Sequence, residues 1–204
     1  WSAAAAALVV GAALFPITAG RAKILDRMSP TAPHSLDGMA FMTTSSYTFG
    51  LDNQPATTWD LNQDYQAIQW MQDHVQGSPV IVEGHTTEYR WENRFSMFTG
   101  LPGVVGYQWH EEQQRSTFGT DPVSPRVAEV DTFYNTPDLP YTQAFLKKYN
   151  VRYIIVGQLE EAMYPQSGLA KFAAQDGVLW KQVFHSGATS IYEVQPVGLA
   201  SSPG

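Results

Sequence analysis

The chain has 204 residues, 44% hydrophobic and 15% charged, with 12 Lys+Arg against 19 Asp+Glu and a net charge of −7. That describes one domain of ordinary size with appendages, too apolar to be disordered and too acidic to neutralise a phosphate backbone, which excludes nucleic acid as a partner. Cysteine is absent, so a disulfide framework, a thiolate metal site and a cysteine nucleophile are excluded too.

Residues 1–20 carry no charged side chain and read Ala, Val and Leu with Gly11, Pro16 and Gly20. As a helix, about 20 residues rise about 30 Å, the thickness of a bilayer's hydrocarbon core. The first element expected is therefore a transmembrane helix over 1–20, with the lipid bilayer as partner. The rival readings are a leader remnant and a buried core helix. A signal peptide places basic residues ahead of a shorter apolar core; this run opens at Trp1 with no basic residue before it and reads as a span taken from a larger chain. Arg21, Lys23 and Arg27 follow it. The positive-inside rule would put that flank in the cytoplasm, though it weakens for a last helix oriented by earlier ones.

Residues 21–58 are broken by Pro30, Pro33, Gly38, Gly50 and Pro55 and read as an irregular strap. From Asp60 the pattern changes. Leu61, Tyr65, Ile68, Met71 and Val75 recur at spacings of three and four, an amphipathic helix with Asp60 as cap and Gln63 placed to close a capping box. After Gly77-Ser78-Pro79, the β-branched run Val80-Ile81-Val82 predicts a buried parallel strand. A helix over 88–98 and a short strand over 104–107 come next, then the polar cluster 109–115. Ser124-Pro125 marks a helix start, with Ser124 as cap and Val127, Val130 and Tyr134 as its apolar stripe. Residues 138–149 form another helix, ending on Lys147 and Lys148 with Asn150 as a left-handed cap. Residues 151–156 read as the clearest strand. The runs 179–184 and 190–194 suit an antiparallel hairpin, and 196–204 reads as a flexible tail. The expected fold is an α/β sandwich over 59–195 with a small mixed sheet ending in an antiparallel hairpin, preceded by one transmembrane helix.

Glycine-rich nucleotide loops, HExxH and GxSxG are all absent from the sequence. Chemically capable residues concentrate between Glu83 and Arg115. Glu83 and His85 lie two apart at the end of a strand and share a face if the strand continues. Tyr89 and Arg94 follow, then Trp109, His110, Glu111 and Arg115. Loops at the carboxyl ends of parallel strands are where open α/β sheets place their sites. Three readings stand. Glu83, His85, His110 and Glu111 have the ligand types of a divalent-metal site but no i, i+4 His pair. Arg94 and Arg115 can instead pair with Glu83, Glu88 or Glu111 in a structural network, the leading reading. The third is a pocket for a polar ligand. Among the aromatics, Tyr65, Trp70, Tyr149 and Trp180 sit in periodic contexts and belong to packing, whereas Trp91 and Trp109 stand beside charges. His34, His74 and Asp131 are assigned to solvated positions.

The strings KILDRM (23–28), LDGMAFM (36–42), TGLP (99–102) with Gly106, His110-Glu111 and Arg115, and KYNVRYIIVG (148–157) resemble the carboxy-terminal portion of the YYY-type family of polytopic prokaryotic membrane proteins. The hydrophobic part of that family looks like the C-type glycosyltransferases, which take sugars from polyprenyl-phosphate donors at the outer face of a membrane. The resemblance implies an extracytoplasmic domain after a last transmembrane helix. Its partners would be the remainder of a polytopic membrane protein or a membrane complex, and a glycan or polyprenyl-linked sugar. It also implies that the catalytic acid lies in the membrane-embedded part, so no catalytic residue, cofactor or metal is expected here. Trp109, His110, Glu111 and Arg115 would face the catalytic cavity or stabilise the domain. The function expected is a membrane-anchored extracytoplasmic accessory or acceptor-recognition domain of a glycosyltransferase-like protein. The alternative is a single-span structural subunit of a larger membrane complex.

Overall fold

The computed structural model describes residues 1–28, 30–50, 56–87, 89–119 and 121–195; Glu88 and the tail 196–204, both of which figure in the sequence reading, lie outside them. The chain divides into two compact units, 1–45 and 46–204.

In the first unit, α1 (Ser2–Arg27) is a 26-residue helix with no buried residue, running past the apolar stretch and through the basic flank. At about 1.5 Å per residue it is about 39 Å long. Its most apolar window has mean hydropathy 1.9, so by length and composition it can cross a membrane. Pro16 lies inside it, and the Thr18 hydroxyl donates to the Leu14 carbonyl at 2.7 Å. A 3-10 turn over Ala40–Thr43 follows, where Asp37 accepts from the Met39 amide and Ala40 and Met42 are buried.

The second unit is α/β. Strands β1 (Ser46–Phe49) and β2 (Thr57–Asp60) form an antiparallel pair where composition reads only an irregular strap. Phe49 and Trp59 bury their rings with Leu159, and Tyr47 stacks on Trp59 and on Trp91 at 5.7 and 6.0 Å. Trp91 is thereby a packing ring, not a free stacking face. The main sheet has the order β3-β4-β6-β5, built from β3 (Val80–Val82), β4 (Val151–Val156), β5 (Trp180–Ser186) and β6 (Thr189–Val194). Strands β3 and β4 are parallel, and the other pairs are antiparallel. The sheet is mixed and ends in the hairpin that the sequence predicts, turning at Gly187 with φ +58°. No strand forms over 104–107. Instead 102–104 lies beside β3, with Ile81 N–H donating to the Pro102 carbonyl and Val104 N–H to the Ile81 carbonyl.

Alternation along the strands sends side chains to both faces. Val82, Ile154, Val156, Tyr192 and Val194 pack with Phe133 and Tyr134 of α5 (Ser124–Asn135), Phe145 and Leu146 of α6 (Leu139–Lys148), and Leu169 and Phe172 of α8 (Gln166–Ala174). Ile81, Ile155 and Ile191 alternate with them and are fully buried. Helix α2 (Leu61–His74) packs against β5 and β6 and buries Ala67, Ile68 and Met71. Full burial of each such aliphatic or aromatic side chain contributes about 1.5–3 kcal/mol. Helix α8 approaches α5 so closely that a Cβ at Gly168 would overlap the Tyr134 carbonyl oxygen. Lys171, one turn on, is buried and donates to the carbonyls of Phe133, Thr136 and Gly168, capping the end of α5 with its ammonium. Burial pulls its pKa down to about 8.

Several caps differ from the sequence reading. Asp60 does cap α2 through the Asn62 amide, but Gln63 reaches the Ala188 amide, and the Asp60 backbone pairs with the Gln158 side chain. Ser124 is the first residue of α5 and not its cap; Asp121 accepts from the Val123 and Ser124 amides. Asp138 and left-handed Asn150 do bracket α6.

Candidate functional site

Strand β3 stops at Val82, so Glu83 and His85 do not share a strand face. Glu83 turns inward at the carboxyl end of the parallel pair. There it meets Arg94, the first residue of α3 (Arg94–Thr99), whose side chain is 0% exposed. A guanidinium survives such burial only with near-complete pairing. Arg94 Nε donates to Asp64 of α2 at 2.8 Å, and its NH2 donates to Glu160 of α7 (Gln158–Met163) at 2.8 Å. Its NH1 lies 3.7 Å from Glu83. The carboxylates are satisfied in turn. Asp64 also accepts from the Trp91 indole and the Thr189 hydroxyl, and Glu160 from the Gly84 and Gly157 amides. Glu83 accepts the Phe95 and Ser96 amides, the orphan donors at the start of α3.

One cation against three carboxylates leaves a formal charge of −2. Burial pushes the Glu83 carboxyl above its ordinary range, opposed by Arg94 and the two amides. Burial also lowers Arg94, but Asp64, Glu160 and Glu83 together raise it, so it stays charged. The carboxylates that hold Arg94 are thus already spent on it. Among the described residues no group of three or more His, Asp or Glu side chains could hold a metal ion.

Beyond Glu83 the described residues 84–87 and 89–93 are loop. The His85 amide donates to the Tyr164 hydroxyl at 2.9 Å, and that hydroxyl donates to Asp131 at 2.9 Å. Asp131 is therefore partnered and not merely a solvated charge. Glu92 is 1% exposed and gathers the loop, accepting from the Thr86 hydroxyl and from the Tyr89 and Arg90 amides. Tyr89 and Asn93 both take left-handed backbone, φ 59° and 60°. With the Asn93 amide oriented to suit its neighbours, its nitrogen donates to the Val105 carbonyl at 3.0 Å and its oxygen accepts from the Tyr107 amide at 3.2 Å. Residues 89–93 are consequently not helical, and α3 begins only at Arg94.

The polar cluster 109–115 is helical, as α4 (Gln108–Arg115). Between α3, the segment 103–107 and α4 lies an open groove of about 370 Å³, lined by Asn93, Ser96, Met97, Tyr107, His110 and Glu111 among others. Glu111 accepts from the Gly106 amide at 2.8 Å and pairs with Arg115 at 3.0 Å, both side chains partly exposed. Trp109 is 54% exposed, Tyr89 55%, and the Tyr89 and Tyr107 rings lie 5.3 Å apart. The Tyr107 hydroxyl sits 3.3 Å from the Met97 sulfur, and burial with Glu92 nearby raises its pKa. The Ser96 hydroxyl is buried with no hydrogen-bond partner. A second cavity of about 440 Å³ opens where β3 and β4 begin, with His74, Asn150, Tyr153 and the Arg152–Glu193 pair on its walls.

The sequence candidates thus separate. Glu83 and Arg94 enter the buried cluster, His85 and Tyr89 belong to the loop, and Trp109, His110, Glu111 and Arg115 belong to α4. Of the pairings the sequence leaves open for Arg94 and Arg115, Arg94 lies 3.7 Å from Glu83 and Arg115 3.0 Å from Glu111, while Glu88 is outside the described residues. Asp64, Glu92 and Glu160 were missed. Asp64 left a signal, since it stands at i+3 from Leu61 and i−4 from Ile68, a carboxylate on the apolar stripe. Glu160 left none, because 158–174 reads as no element by itself.

No protein-family model matches the chain, and no curated protein matches it significantly. Among solved structures it is similar to the C-terminal globular domain of an oligosaccharyltransferase from Archaeoglobus fulgidus. The identity is 13%, the TM-score 0.42, and the match covers 64% of this chain and 95% of that one. A likeness at that level carries no argument about this chain's site.

Proposed function

We propose that this chain is a membrane-anchored, extracytoplasmic accessory or acceptor-recognition domain of a larger glycosyltransferase-like membrane protein, and that it binds a glycan or polyprenyl-linked sugar without transferring sugar by itself. The observation that supports this reading is the contrast in one stretch of chain. The buried carboxylates are locked around Arg94, while the adjoining groove between α3 and α4 is open, with Ser96, His110 and Glu111 beside Met97 and Val105 on its walls and Tyr107, the ring partner of Tyr89, among its lining. Such an open concave surface suits binding of a ligand. The resemblance to the YYY-type family and the apolar helix α1 support the anchoring part.

The test is calorimetric titration of the full chain in lipid nanodiscs with soluble oligosaccharides and with polyprenyl-phosphate-linked sugars. Saturable binding that Trp109→Ala weakens supports the reading. Absence of binding to every member of both sets sinks it. Blotting native membranes with an antibody to residues 46–195 tests the larger parent, which requires a band far heavier than this chain.

A further inference from the structure

We infer that Tyr89 is a preset stacking platform for the apolar face of a pyranose ring, held in its position by buried Glu92; this rests on the function proposed above. The first observation is an unfavourable backbone. Tyr89 has φ 59°, where Gly or Asn is at ease and a bulky residue is strained. Strain persists only where the surroundings impose it, and it gathers at ligand clamps. The second is that the fold gains little from this side chain. The ring is 55% exposed and its one described ring contact is Tyr107, so an Asn in its place would suit the backbone better.

The third observation is the device that imposes the strain. Glu92 is buried, and no Lys, Arg or His lies within ion-pair distance of it among the described residues. Both oxygens serve the loop, Oε1 accepting from the Tyr89 amide at 2.8 Å and Oε2 from the Arg90 amide at 2.8 Å. On the other side, left-handed Asn93 ties Val105 and Tyr107, so both rings of the pair are set by buried polar groups. Ordering an aromatic pair in advance removes the entropy of ordering it on binding.

The ligand class follows from what surrounds the rings. Arg115 is paired with Glu111 and Arg94 is sealed, so the exposed cation beside the rings is Arg90, a hydrogen-bond donor for the edge of a ligand. The adjoining groove sets the unpartnered Ser96 hydroxyl and the His110 ring beside Met97 and Val105. Aromatic faces beside hydroxyl and imidazole groups match a ring with a C–H face and a hydroxyl edge.

The experiment is binding of the full chain, in detergent micelles, to an array of pyranose oligosaccharides, with thermal melting measured in parallel. Tyr89→Asn and Tyr89→Gly should lose at least ten-fold in binding while melting at or above the wild-type temperature, and Tyr89→Phe should bind as wild type does. If the Asn and Gly variants bind unchanged, the inference falls and the proposed function stands. If they lose binding and also melt several degrees lower, Tyr89 is structural and the inference falls. If the wild type binds nothing on the array, the glycan reading fails and takes the inference with it.

Discussion

The Arg94 cluster and helix α4 use the same residue types, with opposite consequences. Arg94 has no exposed surface and meets Asp64 and Glu160 at 2.8 Å, whereas Arg115 and Glu111, a helical i, i+4 pair, are 43% and 28% exposed at 3.0 Å. In the first place water is gone, so an unpaired charge is far more costly than the pair is beneficial. In the second place water screens both charges, and the pair is worth about 0–1 kcal/mol. The lesson is that an Arg–Glu pairing read from sequence carries no energy scale until burial is known.

The comparison breaks first at Arg94. Arg94→Met strands three buried carboxylates and should destabilise the α/β unit by about 3–5 kcal/mol in urea denaturation, with Arg94→Lys failing to rescue it because one ammonium cannot reach three acceptors. A loss below about 1 kcal/mol would mean the cluster is wetter than its geometry.

Lys171 is the second buried cation and sharpens the point, because its partners are neutral carbonyls. Lys171→Met should cost about 1–3 kcal/mol at pH 7 by leaving those carbonyls unpaired. Its pH dependence has a definite sign. The folded pKa is about 8 against about 10.4 unfolded, so between those values the unfolded chain binds more protons and wild-type stability rises with pH. Denaturation curves from pH 7.5 to 10.5 should show that rise in the wild type relative to Lys171→Met, by at most about 3 kcal/mol. A difference that shrinks with pH would contradict the depressed pKa.

Glu92→Gln should have a smaller effect, about 1–2 kcal/mol, since an amide can replace only part of the carboxylate's accepting capacity. Amide hydrogen exchange at Tyr89 and Arg90 should accelerate in that variant while exchange in β4 does not. At the exposed end, Arg115→Ala should change stability by no more than about 0.5 kcal/mol. His110→Ala should be equally silent in melting and should weaken oligosaccharide binding severalfold, which calorimetry would register.

Much of the fold was legible because its signals are local. The apolar run of α1, the stripe of α2, the β-branched strands β3 and β4, the Asp138 cap and the Gly187 turn are each decided within a few residues, where sterics and hydrophobic period act. Helices α7 and α8 were not legible: 158–174 mixes Gln, Glu, Pro and Gly, and its helices are held by tertiary contacts such as Lys171 on α5. The site was half legible. Its residue types stood out between Glu83 and Arg115, but not which of them would be sealed.

What the sequence determined by itself is therefore the order and kind of the strongly patterned elements, the apolar helix at the start and the concentration of ionisable residues after β3. Only the tertiary structure decided their roles. Arg94 meets Asp64 across 30 residues and Glu160 across 66, and Thr189 reaches Asp64 across 125. The physical reason is range. Backbone preference and hydrophobic period act over a turn or a strand, whereas burial, and with it the sign and size of every charge interaction, is set by whichever distant segments exclude the water.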